Sequence, residues 1–194
     1  MILTADEVGR SLSGSIKLLN RDPEGLSAFE TSISAFWRSF AAIVLTAPAF
    51  VVALAEDRAT LGLPPEAGLF ADTWLVSYEI VGLLLGWIAF PLVMIAVVHR
   101  LSLGHRYIRF VIAYNWSAVL AATIFAVPNI LLLIGFATPG LATLFAFSFA
   151  IIVAQYRWFI AKSALGVSGL VASGLVMLDF GLNCSISAAL AALI

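Results

Sequence analysis

The sequence predicts an all-α fold, a polytopic transmembrane helical bundle with five spanning helices and an N-terminal amphipathic interfacial helix. Hydrophobic residues make up 62% of the 194 residues and charged residues 11%, whereas soluble proteins contain roughly 25% charged residues. The mean hydropathy is +1.08. Five apolar runs are long enough to cross a bilayer, which takes about 20 helical residues, and they lie at about 33–55, 73–98, 107–136, 138–161 and 165–194. A soluble helical bundle would need a polar stripe on each helix, and these runs lack one.

Residues 1–30 are more polar and form a cytoplasmic or interfacial segment ahead of the 31–194 transmembrane domain. Thr4 and Glu7 have the spacing of a capping box, which marks the start of a helix. We expect this helix to lie in the membrane interface or against the cytoplasmic ends of the bundle. Acidic residues before the first apolar run argue against a cleavable signal peptide. Apolar residues recur at helical intervals on one side of the expected helix, namely Val8, Leu12, Ile16 and Leu19.

A second capping-box spacing, at Ser27 and Glu30, predicts where the chain enters the first spanning helix. Basic residues then predict how the chain threads the membrane. Lys and Arg are frequent in the N-terminal segment, at 99–109 and at 157–162, and they are scarce or absent in the breaks between. Because cytoplasmic loops carry the excess of Lys and Arg, we expect a cytoplasmic N-terminus and a periplasmic C-terminus. Aromatic and basic residues near the run ends are interpreted as interface anchors: Trp37, Arg38, Trp74, Arg157 and Trp158.

Small residues predict close helix packing in two of the runs. Gly82 and Gly86 form a GxxxG pattern in the second run, and Gly169 and Ser173 have the same spacing in the fifth. Small residues one turn apart let two helix backbones approach closely. We interpret both faces as helix-packing faces, used within the bundle or against a partner protein.

Several polar side chains are expected inside the membrane: Glu79, Asn115, Asn129, Asp179 and Asn183. An ionisable residue at that depth is costly unless it is paired or hydrated, and it is a functional-site hypothesis by default. Glu79 lies near the outer end of its run, where water can reach it. Asp179 lies near the middle of the fifth run, and we expect no basic residue beside it. Its expected hydrogen-bond partner is one of Tyr114, Asn115, Asn129 and Gln155.

The sequence contains no pattern typical of an enzyme, a metal site or a cofactor site. His99 and His105 are the only histidines and flank a surface turn, and the single cysteine, Cys184, lies in the last apolar run. Haem or metal ligation would need histidines inside the bundle. No phosphate-binding glycine loop, HExxH or GxSxG pattern is present. With a net charge of −1, a nucleic-acid partner is not expected either.

From the second run onward the chain resembles the Yip family of small five-helix membrane proteins. The resemblance covers about 73–190 and rests on Leu-Gly-His-Arg-Tyr-Ile-Arg-Phe at 103–110, Asn-Trp-Ser at 115–117 and Val-Pro-Asn at 127–129. It implies five spans with the N-terminus inside and the C-terminus outside. Asp-Pro-Glu-Gly at 22–25 and Phe-Trp-Arg-Ser-Phe at 36–40 are similar to small membrane proteins of α-proteobacteria. The resemblance implies a bacterial inner (cytoplasmic) membrane, and it assigns no functional residue.

Three functions are compatible with these features. The leading hypothesis is a non-enzymatic integral membrane protein that binds lipids or other membrane proteins, as an accessory or scaffold subunit of a larger complex, or as a homo-oligomer. The first alternative is a small transporter or channel that uses Glu79 and Asp179. We expect it to need a homo-oligomer, because five helices enclose little room for a path. The second alternative is a lipid-organising or scramblase-like protein, because prolines are expected to kink the first three helices, at Pro48, Pro91 and Pro128.

Overall fold

The computed structural model describes residues 3–192, and every regular element within that range is a helix. The α-helices are α1 (Ala5–Leu19), α2 (Ile33–Ser39), α3 (Ala47–Thr60), α4 (Thr73–Arg100), α5 (Tyr107–Leu133), α6 (Pro139–Leu165) and α7 (Gly169–Ala191). Short 3₁₀ helices lie at Pro23–Ala28, Phe40–Thr46, Pro65–Ala67 and Gly104–Arg106. The predicted all-α fold is confirmed.

Five helical stretches are long and apolar enough to span a membrane, as the sequence predicts. They are Ile33–Thr60, Thr73–Arg100, Gly104–Leu133, Pro139–Leu165 and Gly169–Ala191. The predicted end of the last span, at residues 193–194, lies outside the described residues. The end of the first span moves from 55 to Thr60. The last break, predicted at 162–164, moves by four residues. It lies at Gly166–Ser168, because Gly166 adopts a left-handed conformation that ends α6 and the Ser168 side chain caps α7.

The first crossing differs from the single kinked helix predicted at 33–55. It consists of α2, the 3₁₀ stretch Phe40–Thr46 and α3 in succession. Pro48 lies in the first turn of α3, where it has no N–H to donate to the carbonyl of Val44 and its ring crowds that carbonyl. The Ala47 N–H donates to the Val44 carbonyl instead, in the tighter 3₁₀ pattern. Pro48 therefore divides this crossing into pieces rather than bending one helix.

Helix α5 is the centre of the bundle. It packs against α1, α2, α3, α4 and α6, and every residue from 110 to 119 is buried. A helix that is buried on all sides has no need for a polar stripe. Helix α7 packs against α4 and α6. The helices α3 to α7 thus form a closed group around an interior space.

The N-terminal segment packs onto the bundle, along α5 and α6. Thr4 caps α1 as predicted, with its side chain accepting from the Glu7 N–H. Of the predicted apolar side of α1, Val8, Leu12 and Leu19 pack against the core, whereas Ile16 is 49% exposed. Ser15 and Leu18, which are fully buried, were not predicted to face the bundle. The small residues let α1 lie close to α6, where the Tyr156 hydroxyl donates to the Ser15 carbonyl at 2.8 Å.

The cap predicted at Ser27 and Glu30 is wrong. Ser32 caps α2 instead, accepting from the Ala35 N–H at 3.0 Å. The Ser27 hydroxyl donates to the Glu24 carbonyl inside the short 3₁₀ helix. Pro23, which follows Asp22, starts that 3₁₀ helix and delays the spanning helix by several residues.

Candidate functional site, a polar cavity inside the bundle

Two adjoining half-open pockets lie between the spanning helices, and we describe them as two lobes of one polar cavity. The Glu79 lobe, about 340 Å³, is lined on its polar side by Tyr78, Glu79, Asn129 and Ser187. The Asp179 lobe, about 360 Å³, contains Tyr114, Arg157 and Asp179. Residues that line both lobes join them: Thr46, Gly82, Leu83, Ala122, Phe125 and Asn183. The small side chains of α4 and α5 leave room for these lobes, which larger side chains would fill.

Asp179 is the most buried carboxyl group of the site, with 3% of its side chain exposed. The Tyr114 hydroxyl donates to its Oδ1 at 2.8 Å, and Nη1 of Arg157 donates to its Oδ2 at 2.9 Å. The Asn183 side-chain amide donates to the Asp179 carbonyl at 2.9 Å and to Oδ1 at 3.2 Å. Both carboxylate oxygens are thus satisfied by partners on three helices, which is what a buried charge requires.

Arg157 corrects two predictions. It was interpreted as an interface anchor, and Asp179 was expected to lack a basic partner. In the structure the Arg157 side chain is only 16% exposed and forms the ion pair with Asp179. Its guanidinium carbon lies 4.3 Å from the centre of the Tyr114 ring, in cation–π geometry. Of the four side chains expected as hydrogen-bond partners of Asp179, Tyr114 is the one that donates to it.

This ion pair could have been predicted from the positions of the two residues relative to the turn between α6 and α7. Arg157 precedes Gly166 by nine residues and Asp179 follows Ser168 by eleven. Two antiparallel helices joined by such a short turn bring residues at similar distances from the turn to the same level. The positive-inside rule assigned Arg157 to a cytoplasmic break because it lies close to Lys162, and that assignment hid the pairing.

Glu79 lies at the far end of the cavity, one and a half turns into α4. Its carboxyl group lies close to that of Asp57 in α3. No cation lies within ion-pair distance of either group among residues 3–192. This end of the cavity therefore carries acid without a compensating base.

The glycines of α4 face α7 of the same chain. A Cβ atom added at Gly86 would lie 2.8 Å from Oδ1 of Asn183, and one added at Gly82 would lie 3.5 Å from Cδ1 of Leu190. Both glycines also line the cavity. Gly86 therefore makes the room in which Asn183 turns toward Asp179.

The other small-residue face, on α7, is divided between two surroundings. A Cβ atom added at Gly169 would lie 3.2 Å from the Trp158 ring, whose Nε1 donates to the Gly169 carbonyl at 2.9 Å. Ser173 is exposed and donates to that same carbonyl at 3.0 Å. Gly169 thus packs against α6, whereas Ser173 faces outward.

The two asparagines of α5 lie in different places. Asn115 is buried and donates to the Ser39 hydroxyl at 2.9 Å, and its Oδ1 has no partner among the described residues. Asn129 is half-buried and lines the Glu79 lobe. Neither is a hydrogen-bond partner of Asp179, and of the two only Asn129 lines the cavity.

The remaining predicted anchors lie near helix ends. Trp37 is 63% and Trp74 is 46% exposed, and Lys162 lies 5.0 Å from the Trp158 ring centre. Arg38, expected to reach toward headgroups, is instead held by two carboxylates of the N-terminal segment, at 2.8 Å to Glu7 and 2.9 Å to Glu30. A hydrogen bond from the Ser32 hydroxyl, together with the charge of Arg38, lowers the pKa of Glu30.

The arrangement can exchange protons or hold a small cation. No group of three His, Cys, Asp or Glu side chains suited to a metal ion occurs in the described part of the chain. The cavity groups are two carboxyl groups, Glu79 and Asp179, with polar neighbours between them. Comparison with known proteins adds no assignment, since no family model, no curated protein and no solved structure matches this chain.

Proposed function

We propose that this chain is a non-enzymatic integral membrane protein that moves protons or a small cation through its interior cavity. The observation that carries the proposal is that Glu79 and Asp179, on different helices, line two adjoining lobes that share lining residues. Ionisable groups inside a bundle that face a common cavity are typical of ion and proton pathways. The lobes of one chain supply both carboxyl groups, so this proposal does not require a homo-oligomer.

The charges of the cavity favour a cation over an anion. Arg157 and Asp179 form a neutral pair at the inner lobe. Glu79, with Asp57 beside it, adds acid at the other lobe. An anion entering at Glu79 would meet like charge, whereas a cation or proton would be attracted.

The first crossing supplies an element that can move. Thr46, the last residue of the 3₁₀ stretch, lines both lobes. A 3₁₀ stretch within a spanning helix is often a functional hinge, and interrupted helices are common at transporter binding sites. A change of this stretch between 3₁₀ and α-helical pairing would move Thr46 relative to the passage between the lobes.

Location and orientation belong to the same proposal. The positive-inside pattern supports a cytoplasmic N-terminus and a periplasmic C-terminus in a bacterial inner membrane. The Glu79 lobe then faces the periplasmic side. Helix α1, with its polar outer side, would lie at the cytoplasmic interface.

Flux through proteoliposomes tests this function. Purified protein is reconstituted with a pH-sensitive dye inside the vesicles, and a potassium gradient with valinomycin sets the membrane potential. We expect the wild type to acidify the lumen and Glu79→Gln to lose at least about tenfold in rate, since one pathway carboxylate then no longer accepts a proton. Asp179→Asn should lose a similar factor.

The matched control is Glu66→Gln in the exposed loop between α3 and α4, which removes the same charge outside the cavity. It should keep the wild-type rate. Glu79 has no ion-pair partner among the described residues, so Glu79→Gln should fold normally and give the same elution profile as the wild type. Wild-type rates in Glu79→Gln vesicles would contradict the proposal. So would a wild type that moves neither protons in this assay nor potassium in vesicles without valinomycin.

A second candidate is an accessory or scaffold subunit that binds another membrane protein. It is supported by the outward face of α7, where Gly174, Gly181 and Ser185 are exposed and nothing lies near the two glycines. Small residues on a lipid-facing helix surface allow another helix to approach closely. Purification in mild detergent from native membranes should then recover a stoichiometric partner, and a chain that always purifies alone would exclude this candidate.

A further inference from the structure

A separate pocket lies on the N-terminal segment, away from the interior cavity. It is formed between α1 and the 3₁₀ helix Pro23–Ala28 and measures about 310 Å³. The two elements are held together by a close backbone contact, since a Cβ atom added at Gly25 would lie 2.5 Å from the Gly14 carbonyl oxygen. The backbones of these two elements thus define the pocket, which does not depend on the position of a single long side chain.

The pocket is lined by cationic and hydroxyl side chains. Arg10, Ser13 and Lys17 follow one another at helical spacing along α1, and Ser27 faces them from the 3₁₀ helix. Neither Arg10 nor Lys17 has a carboxylate within ion-pair distance among residues 3–192, in contrast to Arg38. Glu24 is the one acidic residue that lines the pocket. The charged side chains that line the pocket therefore have a net positive charge, and Glu24 is an acceptor group among them.

This chemistry matches a phosphodiester with hydrogen-bonding substituents. Two unpaired cations would bind the phosphate oxygens. The Ser27 hydroxyl donates its proton to the Glu24 carbonyl. Its oxygen and the Glu24 side chain would therefore accept hydrogen bonds from headgroup hydroxyls. Ile16, next to Lys17 in the sequence, is 49% exposed, which offers an apolar surface beside the pocket for an acyl chain.

We propose that this pocket binds the headgroup of an anionic phospholipid of the phosphatidylglycerol type. The buried side of α1 is fixed to α5 and α6, so its cationic side faces away from the bundle, where lipid headgroups are the nearest phosphates for an interfacial helix. Bound lipid would tie the N-terminal segment to the bilayer surface. The proposal is independent of transport through the interior cavity.

Native mass spectrometry of the full chain in detergent, with equal amounts of phosphatidylglycerol and phosphatidylcholine, tests this site. The wild type should retain phosphatidylglycerol in preference to phosphatidylcholine. The double variant Arg10→Gln/Lys17→Gln should weaken phosphatidylglycerol binding roughly 30-fold, from the usual contribution of two basic residues to binding an anionic lipid surface. Ser13→Leu, which fills the pocket and keeps both charges, should also lose the lipid.

The matched control is Arg100→Gln/Arg109→Gln, which removes the same charge from exposed positions outside the pocket. It should reduce binding no more than a few-fold. Equal loss in the two double variants, or equal retention of the two lipids by the wild type, would overturn the proposal. Displacement of the lipid by millimolar inorganic phosphate would assign the pocket to a soluble phosphate and overturn it too.

Discussion

At the residue scale, the ion pair of Arg157 and Asp179 decides how the interior of this protein is charged. A buried ion pair contributes little net stability, because the loss of hydration offsets much of the attraction. Removing one partner is costly, since it leaves the other charge buried and unpaired. The Tyr114 hydroxyl and the Asn183 amide complete the hydrogen bonding of the carboxylate. We therefore interpret the pair as a functional group of the cavity and not as a source of stability.

This interpretation predicts non-additive stability effects. Arg157→Met and Asp179→Leu should each destabilise the protein by about 3–5 kcal/mol. The double variant Arg157→Met/Asp179→Leu should lose less than either single change, because no unpaired charge remains. Thermal unfolding of the four proteins in the same detergent measures the coupling. Losses that simply add would show that the two side chains act independently.

The contacts of individual side chains were the hardest feature to predict from the sequence. The depth and cost of Asp179 were predictable from hydropathy, and Tyr114 was among its expected partners. Its basic partner was not predicted, because Arg157 was counted with the interface residues. The contact of Glu79 with Asp57 was not predicted either. The sequence of the loop between α3 and α4 does not show which residues of the two helices lie at the same level.

At the element scale, small residues set the distance between α4 and α7. Gly82 and Gly86 were predicted to lie on a packing face, and in the structure they face α7 and the cavity. The two positions differ in how much room remains. At Gly86 an added methyl group would meet the Asn183 amide oxygen at 2.8 Å, whereas at Gly82 the nearest atom is a leucine methyl carbon at 3.5 Å.

The two alanine variants should therefore behave differently. Gly86→Ala should lower the free energy of unfolding by about 1 kcal/mol, at the low end of overpacking effects, because Asn183 must move and release its bonds to Asp179. Gly82→Ala should be tolerated within about 0.5 kcal/mol, since the new contact is an ordinary one. Thermal unfolding compares them directly, and equal effects at the two positions would show that Asn183 is not held in place.

The first crossing shows why element boundaries were harder to predict than element existence. Hydropathy identified a span beginning at residue 33, and the structure has one beginning at Ile33. Composition did not reveal that the residues before Pro48 adopt 3₁₀ pairing. The loss of one N–H at proline was expected to produce a bend, yet the chain shifts its hydrogen bonds over a whole segment, Phe40–Thr46.

At the scale of the whole molecule, the five crossings follow from the cost of burying unpaired backbone groups in hydrocarbon. This cost favours a helix in every long apolar run, however the helices pack against one another. The number of spans could therefore be predicted from the sequence. The cavity was not, because it depends on which small side chains of α4 and α5 face inward. The resemblance to the Yip family and the direction of threading stay predictions.

Glu79 and Asp179 line the lobes of one polar cavity. We expect water to enter this cavity from the end of the bundle that holds Glu79. Cysteine accessibility measures this most directly, in a background with Cys184→Ala. Ser187→Cys lines the Glu79 lobe, whereas Leu144→Cys lies on α6 at a similar distance from the same end and is 60% exposed on the outside of the bundle.

In right-side-out membrane vesicles, a membrane-impermeant thiol reagent should label Ser187→Cys rapidly and leave Leu144→Cys, which faces lipid, unlabelled. Glu79→Gln added to Ser187→Cys should change the labelling rate, because it alters the charge at the cavity mouth. No labelling of Ser187→Cys, or equal labelling of both positions, would contradict the account.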